Sequence, residues 1–287
     1  MRQLSILLLG DARREEFREA QARIEPWGRI KQANCVEAAE SILAEGVFLP
    51  DVIVVAQAYP GQYSPEAIHR LRQLTPLARI LGLLGSWCEG ETRTGSPWPA
   101  TVRNYWHQWN HRCGRELSRL ASGQNTAWTL PVTATEEERL LFDAKTEGSP
   151  SQQGLIVIDT PSREMHDWLA AAGRSRGFST AWQRDTAPIC VTGATVGLFE
   201  RSCLTECVNM TRIANVGDEK NVKSKKNDAS ALRRFIAELH PSPVLVLLDF
   251  PRIEDHRIAM SAGAAAVLSK PLSIEDLFLQ LDAVVKQ

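Results

Sequence analysis

The chain has 287 residues, of which 44% are hydrophobic, and a net charge of -1. That supplies apolar material for two ordinary cores and excludes the one-signed basic field of a nucleic-acid-binding protein. No apolar run approaches the ~20 residues of a membrane span.

The chain opens with Leu4-Ser5-Ile6-Leu7-Leu8-Leu9, which stops at Gly10-Asp11. It is short and lacks a small-residue cleavage site, so a buried strand is expected rather than a leader. Arg13–Glu25 follows with Phe17, Ala20 and Ile24 at helical spacing. Strands are predicted at Ile30–Cys35, Val52–Val55, Ile80–Leu84 and Val102–Trp106. Helices are predicted at Val36–Ala44, Pro65–Leu74 and Arg112–Ala121, and a loop at Gly90–Ala100. Residues 123–153 carry Ser, Gly, Gln and Pro at their ends and read as a linker, with room for a short docking helix at its centre. The first domain is therefore placed at 1–122 and the second at 154–287.

The second half repeats the grammar of the first. Leu155-Ile156-Val157-Ile158-Asp159 is again an apolar run ending in an acid, followed by a helical pattern over Ser162–Arg174. Phe178–Trp182 is a strand, and Thr195–Phe199 competes with Ile189-Cys190-Val191 to be the next. Residues 209–228 are polar, hold Lys220, Lys223, Lys225 and Lys226, and read as a mobile insertion. Ser230–Leu239, Ile253–Ala262 and Ile274–Val285 are helices; Val244–Leu248 and Ala264–Leu268 are strands. Strands alternating with helices predict an α/β class with doubly wound parallel sheets.

The six cysteines are scattered, and the one close pair, Cys203 and Cys207, has no second pair to complete a zinc site. Reduced thiols in a cytoplasmic protein are expected. No glycine-rich phosphate loop, nucleophile elbow or metalloprotease helix motif is present.

A buried strand, a helix ending in Ala262-Gly263-Ala264, and then Ala266-Val267-Leu268-Ser269-Lys270-Pro271 resemble the C-terminal half of a response-regulator receiver domain. The resemblance covers roughly 155–287 and is most specific at Lys270-Pro271. It implies a flavodoxin-like five-stranded sheet, a cis peptide before Pro271, and a place in bacterial two-component signalling or phosphorelay.

Carried over by position, the family's first-strand acids are represented by Asp159 alone, its phospho-accepting aspartate by Glu200, and its Thr or Ser by Asp249; Lys270 is unchanged. A lost magnesium ligand, an acceptor longer by a methylene and an anion in place of a hydroxyl all oppose phosphorylation. A Glu200–Lys270 pair, with Asp249 and Asp159 sharing the lysine, is expected instead. The other reading keeps Asp159, Glu200 and Asp249 as a phosphorylatable site, with Mg²⁺ as its cofactor and Asp159 and Glu200 as metal ligands.

The first half resembles a receiver only in the order of its elements. Asp11 matches the first-strand acid, the acceptor position falls at Ala56 or Gln57, and the lysine position at His107 or Gln108. The whole chain thus reads as a tandem pair of receiver-like domains, the first a pseudo-receiver.

After the fourth strand, Trp87, Cys88, Glu89, Glu91 and Arg93 join Arg103, Trp106, His107 and Trp109 in an aromatic and charged cluster. Trp and Arg suit an interface, and a small-molecule pocket is the alternative. Neighbouring carboxylates should raise the Cys88 thiol and disfavour a nucleophile. Phe250 is expected as a core plug, and Arg252 as a partner for Asp249 or for another protein's acid. The expected function is a non-enzymatic regulatory protein acting through protein partners or as a homodimer, with no membrane and no nucleic acid involved.

Overall fold

A computed structural model describes residues 2–91, 95, 97–98, 101–131, 133–135, 138–139, 142, 153–184, 193–205 and 228–285. Most of the expected insertion at 209–228, the competing strand at 189–191, Arg93 and much of 132–152 lie outside the described residues. The chain divides into two compact units, Met1–Gly148 and Ser149–Gln287.

The first unit runs β1 (Leu4–Leu9), α1 (Glu15–Ile24), β2 (Gly28–Ala33), α2 (Val36–Ala44), β3 (Val52–Gln57), α3 (Pro65–Leu74), β4 (Arg79–Leu84), β5 (Val102–Tyr105) and α4 (Trp106–Ala121). Its five strands pair in parallel in the order β2-β1-β3-β4-β5. This is the flavodoxin-like doubly wound order. The residues that make the elements are ordinary ones. β3 is buried throughout, as a central parallel strand must be. Helix α3 starts at Pro65 behind Ser64, whose Oγ accepts the Ala67 N–H at 3.2 Å. After β1 the chain turns at Gly10, where φ is 112° and a Cβ would meet the Ala56 carbonyl oxygen at 2.7 Å.

Leu7, Leu9, Ile53, Val55 and Ile80 face α2 and α3 and are closed over by Trp98, whose Nε1 donates to the Tyr63 carbonyl at 2.8 Å. Phe17, Ala20 and Ile24 of α1 and Trp109, Cys113 and Leu117 of α4 are buried on two helices that pack together. Trp109 stacks on Trp128 with ring centroids 5.7 Å apart. Residues 126–129, which composition assigns to the linker, thus contribute a buried tryptophan to the first unit.

Helix α4 begins six residues before the predicted Arg112. Trp106, expected at the end of a strand, opens it instead, and the Tyr105 N–H donates to Gln108 Oε1 at 3.5 Å. Burial of Trp106 and Trp109 on the helix outweighs the weak helical preference of aromatic residues.

The second unit runs β6 (Leu155–Asp159), α5 (Arg163–Ser175), β7 (Ser179–Gln183), β8 (Ala194–Arg201), α6 (Asp228–Leu239), β9 (Val244–Asp249), α7 (Ile253–Ser261), β10 (Ala266–Lys270) and α8 (Ile274–Val285). Its parallel order, β7-β6-β8-β9-β10, is the first unit's order over again. Ile156, Ile158, Val196, Leu198, Leu245, Leu247 and Leu268 form one face with Leu169 of α5 and Leu277 and Leu281 of α8. Val157, Phe199, Val246, Leu248 and Val267 form the other, against Leu232, Phe235 and Leu239 of α6 and Ala259 of α7. Helix α7 stops before Gly263, which takes φ 98°. The two tandem flavodoxin-like doubly wound sheets expected from the sequence are both present.

Candidate functional site

Doubly wound sheets carry their chemistry at the carboxyl ends of their strands. In the second unit that edge holds Asp159 (β6), Glu200 and Arg201 (β8), Asp249 (β9) and Lys270 (β10). Successive strand residues face opposite sides of a sheet, so Glu200 and Arg201 lead into two separate arrangements.

Glu200 is 5% exposed. Lys270 Nζ donates to its Oε1, and Thr160 Oγ1 donates to its Oε2 at 2.6 Å. Lys270 also pairs with Asp249 Oδ1 at 3.0 Å. The Ser162 N–H in turn donates to Thr160 Oγ1 at 3.1 Å. Both carboxylate oxygens of Glu200 are therefore engaged by partners that are themselves held. The Lys270–Pro271 peptide is cis.

Asp159 does not share Lys270, contrary to the sequence expectation. It lies on the face of the sheet that Val157 and Phe199 occupy, and its Oδ1 takes Arg201 Nη2 at 2.7 Å. Arg201 Nε reaches Asp228 Oδ1 at 3.3 Å. Asp159 and Glu200, the two metal-ligand candidates, are thus each committed to a different cation. Magnesium, which the family resemblance implies, wants carboxylate oxygens converging on one point, and these side chains do not fit it as arranged. Among the described residues no group of three or more His, Cys, Asp and Glu side chains is placed to hold a metal ion.

Two further expectations are corrected at this edge. Phe250 is not a core plug: it is 49% exposed and adopts φ 42°, a left-handed conformation uncommon for a bulky side chain. Asp249 pairs with Lys270 rather than Arg252. Arg252 is exposed, and its N–H donates to Asp255 Oδ2 at 3.2 Å as α7 begins. Asp255, which sequence reasoning passed over, is buried and also accepts the N–H groups of Leu204 and Thr205 at 2.8 and 2.9 Å.

Register relates the two units. The last rung between first and third strands is Leu9↔Val55 in one and Asp159↔Phe199 in the other. Counting onward, Glu200 corresponds to Ala56. Across the sheet, the rungs Ala56↔Leu83, Leu84↔Tyr105, Glu200↔Leu247 and Leu248↔Ser269 make Lys270 correspond to Trp106. The first unit's lysine position is therefore Trp106, not His107 or Gln108, and its acceptor position is Ala56, not Gln57. Ala56 and Trp106 are both buried. Trp106 Nε1 donates to Ser86 Oγ at 3.0 Å, and Ser86 Oγ donates to Glu16 Oε1 at 2.7 Å.

The aromatic and charged cluster of the first unit is brought together, but as packed structure. Glu91 is buried; its Oε1 accepts Gln57 Nε2 at 3.2 Å and its Oε2 accepts Arg103 Nη2 at 2.6 Å. His107 is buried, 3.2 Å from Glu89 Oε1 through Nε2, and stacked on Tyr105. Burial holds its imidazole below the usual value, against the pull of Glu89. Cys88 lies beneath, donating to the Gln57 carbonyl at 3.4 Å. Burial first, and Glu91 second, push its thiol up to about 12. With His107 committed to Glu89 and the thiol protonated, no Cys–His nucleophile is assembled. Among the cluster's described residues Trp87 stands out, 73% exposed.

No protein-family model matches the chain, and no curated protein does. Solved structures do. The receiver domain of a Francisella response regulator is 13% identical over 46% of this chain and 97% of its own, with a TM-score of 0.33. An orphan response regulator of H. pylori is 15% identical over 48% of this chain and 99% of its own, at 0.32. A structure described as a two-component system response regulator/GGDEF domain protein is 14% identical over 99% of this chain and 100% of its own, at 0.33. The fold assignment rests on strand order and register. No helix among the described residues is long and apolar enough to cross a membrane.

Proposed function

We propose that the chain is a non-enzymatic, cytoplasmic regulatory protein of two-component type, whose receiver-like units act by contact with protein partners and do not efficiently accept a phosphoryl group. The observation that carries this reading is the engagement of both Glu200 oxygens, one by Lys270 and one by Thr160, at a buried position. A carboxylate so held must lose a buried ion pair before it can attack a phosphodonor. In the first unit the corresponding residue is Ala56, which has no acceptor oxygen at all.

Contact with a partner suits the exposed aromatics at the carboxyl edges, Trp87 in the first unit and Phe250 in the second. The α7–β10–α8 face offers a second surface, for a homodimer.

The test is incubation with Mg²⁺ and acetyl phosphate, or with Mg²⁺ and beryllofluoride, followed by intact-mass measurement and calorimetry. No phosphoryl adduct and no beryllofluoride heat is the expected outcome. Uptake that disappears in Glu200→Gln would overturn the reading and restore a phosphorylation switch.

A further inference from the structure

Arg201 is surrounded by oxygen to a degree that a rim arginine is not. Nη2 donates to Asp159 Oδ1 at 2.7 Å, and Nη1 donates to the main-chain carbonyls of Glu200 at 2.6 Å and Asp159 at 3.3 Å. Nε donates to Asp228 Oδ1 at 3.3 Å. The flat face of the guanidinium lies 4.2 Å from the centroid of the Phe199 ring, itself fully buried. The side chain is 14% exposed. Its edges and one face are thus provided for by three elements, β6, β8 and the first residue of α6.

Two carboxylates and two carbonyls are oxygen donors of the types a hard divalent cation takes, spread here over the three nitrogens of one guanidinium. Here the positive charge is a side chain. We propose that Arg201 is the resident cation of an oxygen cage that would otherwise take a hard divalent ion such as Mg²⁺ or Mn²⁺, and that it makes the acidic face of the second unit independent of metal. The inference rests on the reading of this unit as unswitched and names what holds that face.

Physical chemistry favours the tethered cation. The guanidinium is a permanent, planar cation with donors directed outward in its plane. It is covalently part of the strand that supplies one of the carbonyls, so it competes as an intramolecular ligand at high effective concentration. A free divalent ion must shed water and displace it, and Mg²⁺ dehydrates reluctantly. Position matters too. Arg201 is two residues from Phe199 on the same face of β8, and Asp159 pairs with Phe199 across the sheet. The ring, the cation and the acid are therefore placed by strand register rather than by loops.

The experiment is Mn²⁺ titration of the full chain, followed by the loss of the free-ion paramagnetic resonance signal. Wild type should show no site. Arg201→Ala should gain one, binding about tenfold or more tighter than anything in wild type. Arg201→Lys, which keeps the charge, should not gain it, and Arg201→Ala with Asp159→Asn should lose it. Equal behaviour of wild type and Arg201→Ala, with or without binding, would overturn the proposal. Should Arg201→Ala not fold by itself, recovery of its near-ultraviolet circular dichroism on adding Mg²⁺ or free guanidinium at low concentration supports the cage, and recovery with neither refutes it. The two readings fail separately. Glu200-dependent beryllofluoride uptake by wild type strikes the proposed function, whereas a missing Mn²⁺ site in Arg201→Ala strikes this one.

Discussion

Where the second unit pairs Glu200 with Lys270, the first holds Ala56 and Trp106 at the corresponding register positions. The sheets share one strand order, yet one edge is closed by an ion pair with Thr160 and Asp249 around it, and the other by an indole tied through Ser86 to Glu16. On the opposite face the contrast narrows: Arg201 between Asp159 and Asp228 in one unit, Arg103 on Glu91 with Gln57 in the other. Buried ion pairs and well-packed apolar groups are near-equivalent ways to close such an edge. A fold that once needs a charge there can dispense with it, provided that both partners change together.

That equivalence can be broken from either side. The largest effect is expected for Ala56→Glu, which places a carboxylate at a fully buried position; it should cost roughly 4–6 kcal/mol and unfold the first unit in a urea titration. Next comes Glu200→Ala, which leaves Lys270 only the half-exposed Asp249 and should cost about 3 kcal/mol. Replacing both partners, Glu200→Ala with Lys270→Met, should recover most of that loss and leave stability within about 1.5 kcal/mol of wild type. A double variant as unstable as the single one would show that the pair is not interchangeable with apolar packing.

Asp255→Ala removes the acceptor of the Leu204, Thr205 and Arg252 N–H groups and should cost about 1–3 kcal/mol, measured in the same way.

A smaller effect follows from His107. Its imidazole is held below the ordinary value when folded, chiefly by burial, so folding favours the neutral ring. That contribution is fully present above the unfolded value of about 6.5 and is lost as pH falls through the lowered folded value. First-unit stability should therefore drop on acidification below about pH 6.5, and less so in His107→Phe. The smallest effect on stability is expected at exposed Trp87: Trp87→Ala should change it by under about 0.5 kcal/mol while weakening partner capture. A large loss of stability there would mean that the ring packs rather than projects.

The strands were legible in the sequence because their apolar runs are bounded by Gly, Pro and acidic residues, and Leu4–Leu9, Val244–Leu248 and Lys270-Pro271 show this best. The start of α4 was not, because Trp106-His107-Gln108-Trp109 has no helical preference of its own and becomes helical by burying both tryptophans. Nor was Trp128, which polar neighbours disguise as linker. At the candidate site, Glu200 and Lys270 were legible as residues at strand ends. Their separation from Asp159 was not, since it depends on which face of β8 each side chain leaves. Arg201 and Thr160 were within one residue of positions already singled out. The alternation Phe199-Glu200-Arg201, read with period two, is the signal that would have found the arginine.

The Asp255 carboxylate has a bearing on protein engineering. It fixes residues 204 and 205 on one side, while Asp228 is tied to Arg201 on the other. Both stems of the 206–227 stretch are thus fastened to the domain by bonds that do not involve the stretch itself. Loop closure grows only slowly with length, at about 0.6 kcal/mol for each doubling. An insertion placed between residues 205 and 228 therefore starts and ends on chain that the domain already holds, whatever its sequence.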